Sequence, residues 1–195
     1  MSCSVPLRSF AITTCWTLFS IVFNGPSLCY GDLAFSPAGT DLFAGQYVDG
    51  TIDDRAVERS TGLSGFRFFG RSLGPTVHVS ENGNISTTPN FAFFPQEIDD
   101  VRVQTKLIAP LWDDVFMVDP TLFPAASPKN YVLEQKLSDI YVVTWQNIRL
   151  LNETVAFPDG STFIPDTIRS AQVALMGTAQ TVRGFDFQAN DIVFS

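Results

Sequence analysis

Beyond residue 31 the apolar positions come in short runs. Some alternate with polar residues, others are blocks of β-branched and aromatic residues, and turn formers interrupt them about every ten positions. Val77, Val79 and Ile85 flank Glu81-Asn82-Gly83-Asn84, which predicts a hairpin because Asn-Gly readily takes the positive φ of a tight turn. Residues 105–111 read as a buried strand, and 65–70 as a strand bounded by turns. Residues 130–137 alternate around Tyr131 and Leu133 before a turn at Asp139. Residues 140–145 form the strongest strand signal of the chain. Residues 171–176 and 184–187 read as a closing pair, and 191–194 begins one more strand. No capping residue opens a sustained 3.6-residue pattern, so helix is limited to at most a turn at 96–100. The expected class is all-β: an antiparallel, sandwich-like domain with at most short helical turns. Fifteen of the 18 phenylalanines follow residue 31, which suits two inner faces in need of bulky filler.

The N-terminus has a different pattern. After Arg8, residues 10–23 form an uncharged, mostly apolar run of 14, broken by Asn24-Gly25-Pro26-Ser27. That is the layout of a secretory signal peptide, and the run is shorter than the roughly 20 residues a spanning helix needs. The expected organisation is a signal peptide over 1–31, cleaved after Ser27 or Gly31, and one domain over 32–195 in a secreted protein with no stable membrane span. An uncleaved anchor is the rival reading. Cys3, Cys15 and Cys29 all fall in the leader, so the domain is held by packing rather than disulfides, and a Cys nucleophile or Cys-based metal site is excluded. Leu28 stands where a lipoprotein acceptor at Cys29 would need a small residue. Without Arg8 the 12 Lys and Arg become 11, against 20 Asp and Glu. So acidic a chain, with no basic cluster, argues against nucleic acid as a partner.

Candidate chemistry is sparse. Asp113 and Asp114 are adjacent, so on a strand they point to opposite faces, unlike the facing carboxylates of a glycosidase. They read first as a strand end tied to backbone N–H groups. The rival reading is a cation site drawing on Asp53, Asp54, Asp113 and Asp114, with Asp119 as a further donor and calcium as the fitting ion. His78 is the only histidine and sits between two valines, which suits a structural or surface role better than a triad or zinc site. No nucleophile elbow, phosphate loop or dinucleotide fingerprint occurs, and no catalytic residue is assigned. Two glycosylation sequons begin at Asn84 and Asn152; for Asn84, beside the predicted turn, turn chemistry explains the residue equally well.

Taken in order, these pieces resemble the nidogen extracellular (NIDO) domain family. Asp53-Asp54 resembles its acidic pair, Gly65-Phe66-Arg67-Phe68-Phe69-Gly70 its aromatic strand, and residues 77–86 its hairpin. Ile108-Ala109-Pro110-Leu111-Trp112-Asp113-Asp114 is similar to its most recognisable signature, and Val143-Thr144-Trp145-Gln146-Asn147-Ile148 to a later strand. Residues 170–175 and 185–192 resemble the closing strands. Ala171 departs from the bulky aromatic usual before Gln. The family also continues past the position of Ser195, which implies a fragment or a shortened domain with an open edge. The resemblance implies a non-catalytic extracellular module for cell–matrix adhesion or matrix assembly, with a protein or glycan partner and no obligatory cofactor. The alternative is an exported carbohydrate-binding or carbohydrate-active protein. Phe91-Ala92-Phe93-Phe94-Pro95 reads first as core, and as a contact patch if exposed.

Overall fold

The computed structural model describes residues 34–88, 107–111, 115–119, 121–122, 128–150, 154–156, 163–165 and 168–195, with the short segments 11–12 and 19–20. Among these residues there is no helix, 53% lie in strands and the sheets are antiparallel, so the class is all-β and sandwich-like. No helix among them is long and apolar enough to cross a membrane. Of the leader expected over 1–31, only Ala11–Ile12 and Phe19–Ser20 are described, and they pair with each other. The turn expected at 96–100 and the patch at 91–95 lie outside the described residues.

A seven-stranded sheet carries the order Ile192–Phe194, Ile168–Met176, Ile140–Leu150, Val115–Val118, Thr51–Ile52; Tyr131–Leu137 also pairs with Ile140–Leu150 and with Thr40–Asp41. A four-stranded sheet has the order Leu107–Ile108, Asn84–Ser86, Thr76–Ser80, Ala56–Ser60. The long Ile140–Leu150 strand is central because its β-branched and aromatic residues fill both faces. Tyr141, Val143 and Trp145 join Val77, Val79, Ile85 and Ile108 of the smaller sheet in one core cluster, while Ile140 and Val142 join Ala34, Ala174, Met176 and Val193 in a second on the outer face. Asn147, at φ 55, accompanies a register shift between Trp145 and Ile148, and Ile148 rejoins the inner cluster. One extra residue re-phases a period-two strand. Without it, Ile148 would face the same way as Thr144.

Polar ties cross between strands of the two sheets. The Trp145 indole N–H donates to the Ser80 carbonyl at 2.7 Å. Arg59 Nη2 lies 2.5 Å from Glu134 Oε2, and the Glu134 side chain is only 4% exposed. On the outer face, buried Gln172 fastens Phe35 through two bonds and the neighbouring strand through a third. Its Nε2 donates to Phe35 O and Thr144 Oγ1, and its Oε1 accepts from Phe35 N–H.

Two expectations about the main sheets need correction. The closing pair differs: Ile168–Met176 takes Ile192–Phe194 as its neighbour, while Phe185–Phe187 folds back on Gln180–Val182. Arg183 and Gly184, at φ 50 and 81, form the two-residue turn that closes this local ribbon before residues 185–187 can join the sheet. The strand expected at 105–111 is, among the described residues, only Leu107–Ile108. Proline at 110 has no N–H with which to extend the ladder.

Candidate functional site

The Ser80–Asn84 turn gathers the polar chemistry of the smaller sheet. Ser80 pairs with Asn84, leaving a three-residue loop in which Gly83 takes φ 78. Asn82 does not share the positive φ, so the hairpin forms as the sequence expects, but through a longer loop than a two-residue Asn-Gly turn. Glu81 is fully buried in this loop. Its backbone N–H donates to Arg55 O at 3.2 Å, and its Oε1 accepts from Arg55 N–H at 2.7 Å, which clamps the two segments reciprocally. Ser80 Oγ donates to Glu81 Oε2 at 3.3 Å. Asn82 holds its surroundings from both ends of the amide: Nδ2 donates to Asp54 Oδ1 at 3.4 Å, and Oδ1 accepts from Val115 N–H at 2.9 Å. Leu111 N–H donates to Gly83 O.

The loop thereby brings Asp53 and Asp54, both exposed, to buried Glu81, with carboxylate oxygens within 4.8 Å of one another. Burial is the main cause that lifts the Glu81 carboxyl to about 8, and the nearby Asp54 charge adds to it. Burial and then Asp54 also raise Asp53 from its ordinary value. Of the four metal candidates read from the sequence, the structure unites Asp53 and Asp54. It adds Glu81, which a turn sequence disguises as a solvated residue. Asp113 and Asp114 lie outside the described residues, although Leu111 and Val115 on either side are both tied to this loop.

These three carboxylates could hold one hard cation, but with one oxygen from each they supply fewer than the six to eight ligands calcium takes, and both Glu81 oxygens are already hydrogen-bonded within the protein. The arrangement works as a tie between loops. Its melting midpoint is therefore expected to be the same in millimolar calcium and in chelator. A chelator-induced drop of several degrees would instead establish a structural metal.

The remaining sequence candidates fall as follows. His78 pairs in register with Glu58 and Ser86 on the strand whose Val77 and Val79 face the core, which turns it to the outer face of the smaller sheet. Asn84 is fully buried, which fits its reading as a turn residue and leaves no space for a bulky glycan. Asn152 lies outside the described residues.

The aromatic segment at 65–70 is a hairpin rather than a single strand. Arg67–Phe68 pairs with Arg71–Ser72, and Phe69 and Gly70, at φ 48 and 76, form its two-residue turn. Both φ values are positive, as in a type I′ turn, where Asn-Gly, Asp-Gly or Gly-Gly is the rule. A phenylalanine there is strained by an estimated ~1–2 kcal/mol, because its Cβ crowds the following carbonyl. Phe66 is buried in the core, Phe68 is half-buried against it, and Phe69 is 90% exposed. The rings of Phe68 and Phe69 meet edge to face at 4.6 Å. Arg67 Nη1 donates to Gly70 O, and Arg67 N–H donates to Asn190 Oδ1 at 2.6 Å, which fixes the base of the hairpin. Phe-Gly is not a turn signal in sequence, so this tip is legible only in three dimensions.

No protein-family model, no curated protein and no solved structure matches this chain.

Proposed function

We propose that the chain is a secreted, non-catalytic binding module of the nidogen extracellular type, acting in cell–matrix adhesion or matrix assembly through its aromatic hairpin. The observation that carries this reading is Phe69, a large apolar side chain held at a strained φ in open solvent. Folding gains little from it there, whereas a partner with an apolar pocket would gain a preorganised anchor with arginines on either side. The use of Glu81 and Asn82 as loop ties supports binding without a reaction. The apolar leader and the absence of cysteine after residue 31 support export as a disulfide-free domain.

The test is retention of solubilised extracellular matrix on the immobilised chain, comparing wild type with Phe69→Asn. Asparagine tolerates positive φ, so the variant is expected to melt at or slightly above the wild-type temperature while binding about tenfold or more weakly. Unchanged retention would remove Phe69 from the binding surface and the reading with it. Repeating the assay on deglycosylated matrix tells a protein partner from a glycan.

A further inference from the structure

Four large apolar side chains stand exposed among the described residues: Val48, Phe69, Leu122 and Phe194, at 52, 90, 63 and 56%. Two of them belong to one neighbourhood. Val48 bridges to Thr51 across Asp49 and Gly50, Asp119 N–H donates to Gly50 O at 2.8 Å, and Leu122 N–H donates to Asp119 O at 3.2 Å. Backbone bonds therefore join the segments of Val48 and Leu122 through the Gly50–Asp119 contact, and Asp49 and Asp119 belong to the same joined segments. The described segments around this contact, residues 40–54, 115–119 and 121–122, contain no lysine or arginine. The Thr121 hydroxyl and backbone N–H hold the Asp119 carboxylate below its ordinary pKa, so it is ionised at neutral pH.

The Phe69 hairpin has the opposite composition. Residues 63–76 carry Arg67 and Arg71 and no acid. On a chain with 20 acidic and 12 basic residues this tip is a local reversal of sign. One surface offers an apolar point between two cations; the other offers an apolar pair between two anions.

From this complementarity we infer that the occupant of the hairpin tip is a second copy of this chain: Phe69 seats between Val48 and Leu122, with Arg67 and Arg71 facing Asp49 and Asp119. The inference rests on the reading of Phe69 as a contact residue and names its partner. Each copy carries one tip and one patch, so the contact is head-to-tail, and association continues past the dimer into open chains or rings. A hairpin tip covers far less surface than the roughly 1,200–2,000 Å² of a stable complex, so the contact is weak in solution. Its charged rim makes it sensitive to salt. Copies crowded together in a matrix would gain from multivalency what a single contact lacks.

Sedimentation equilibrium of the purified chain from about 10 µM to 1 mM, at low and at high salt, tests this. At low salt the weight-average mass is expected to rise with concentration without levelling at the dimer, and to return to the monomer value in 0.5 M salt. Phe69→Asn should need about tenfold or more higher concentration for the same mass. Arg71→Glu alone and Asp119→Arg alone should each stay monomeric, while mixing the two restores association, because the altered tip of one then matches the altered patch of the other. That restoration also shows that both variants are folded. A wild-type mass that stays monomeric to 1 mM, a Phe69→Asn variant that associates like wild type, or a mixture that stays monomeric would each overturn the inference. If self-association fails while Phe69→Asn still loses matrix retention, the binding-module reading stands and only the choice of partner falls.

Discussion

Trp145→Ala is expected to remove a large share of the domain's stability. The indole is completely buried between the two sheets and donates to the Ser80 carbonyl at 2.7 Å. Truncating a buried Trp to Ala costs roughly 3–5 kcal/mol through lost transfer energy and the cavity left behind. Leaving the Ser80 carbonyl without its partner adds about 1 kcal/mol or more. Domains of this kind have only about 5–15 kcal/mol in total. Trp145→Phe keeps most of the ring but loses the bond, so a smaller loss of about 1–3 kcal/mol is expected. The check is urea denaturation of both variants: the midpoint should fall in the order wild type, Phe variant, Ala variant. A Phe variant as stable as wild type would show that the tie to Ser80 contributes nothing. Ala171 explains why the site tolerates so large a residue. It stands opposite Trp145 in register on the neighbouring strand, where cross-strand Cβ atoms lie only about 4.5–5.5 Å apart. An aromatic at 171 would compete with the indole for that space.

Much of the fold was legible because it rests on local signals. Residues 140–145 announce a strand through their own side chains, and Asn82-Gly83 announces a turn. The pairing of distant segments was less legible. Residues 184–187 have the same apolar character as a sheet strand. Only the positive φ of Arg183 and Gly184, which Arg-Gly does not advertise, diverts them into a local ribbon. The same difficulty hid the Phe69 turn, where sequence shows an aromatic strand and backbone geometry makes a tip.

The candidate site was legible in part for a different reason. Asp53 and Asp54 stand out as a pair of acids wherever they fall. Glu81 does not, since a glutamate beside Asn-Gly is normally a solvated turn residue. Its burial depends on Arg55 offering both a carbonyl and an N–H across 26 positions of sequence, a complementarity no local pattern encodes. Arg149 is a similar case. It is a buried guanidinium spent on the Asn130 side chain and on the carbonyls of Pro128 and Asn147, partners that no local pattern announces.

Glu81 gives the domain an unusual pH dependence: stability is expected to fall between about pH 4.5 and 8. The ordinary value of 4.5 applies to the unfolded chain, and burial pushes the folded value to about 8. Within that window the folded state keeps a proton that the unfolded state has released. The slope of stability against pH follows protons bound in the unfolded state minus those bound in the folded one, so here it is negative. The contribution is therefore complete below pH 4.5 and lost as pH rises through 8. A shift of this size corresponds to a change on the order of a few kcal/mol. Asp41 and Asp53, also raised mainly by burial, act in the same direction. Glu81→Gln mimics the protonated acid: its carbonyl still accepts from Arg55 N–H, and its amide reaches Ser80 Oγ as a donor. At pH 5 the variant should match wild type within about 1 kcal/mol, and at pH 8.5 it should be the more stable of the two. Urea midpoints for both proteins from pH 4.5 to 9 decide the matter. If the wild-type midpoint holds level across that range, or if the Gln variant declines in parallel with it, Glu81 does not keep its proton in the fold and the clamp with Arg55 is made by a carboxylate.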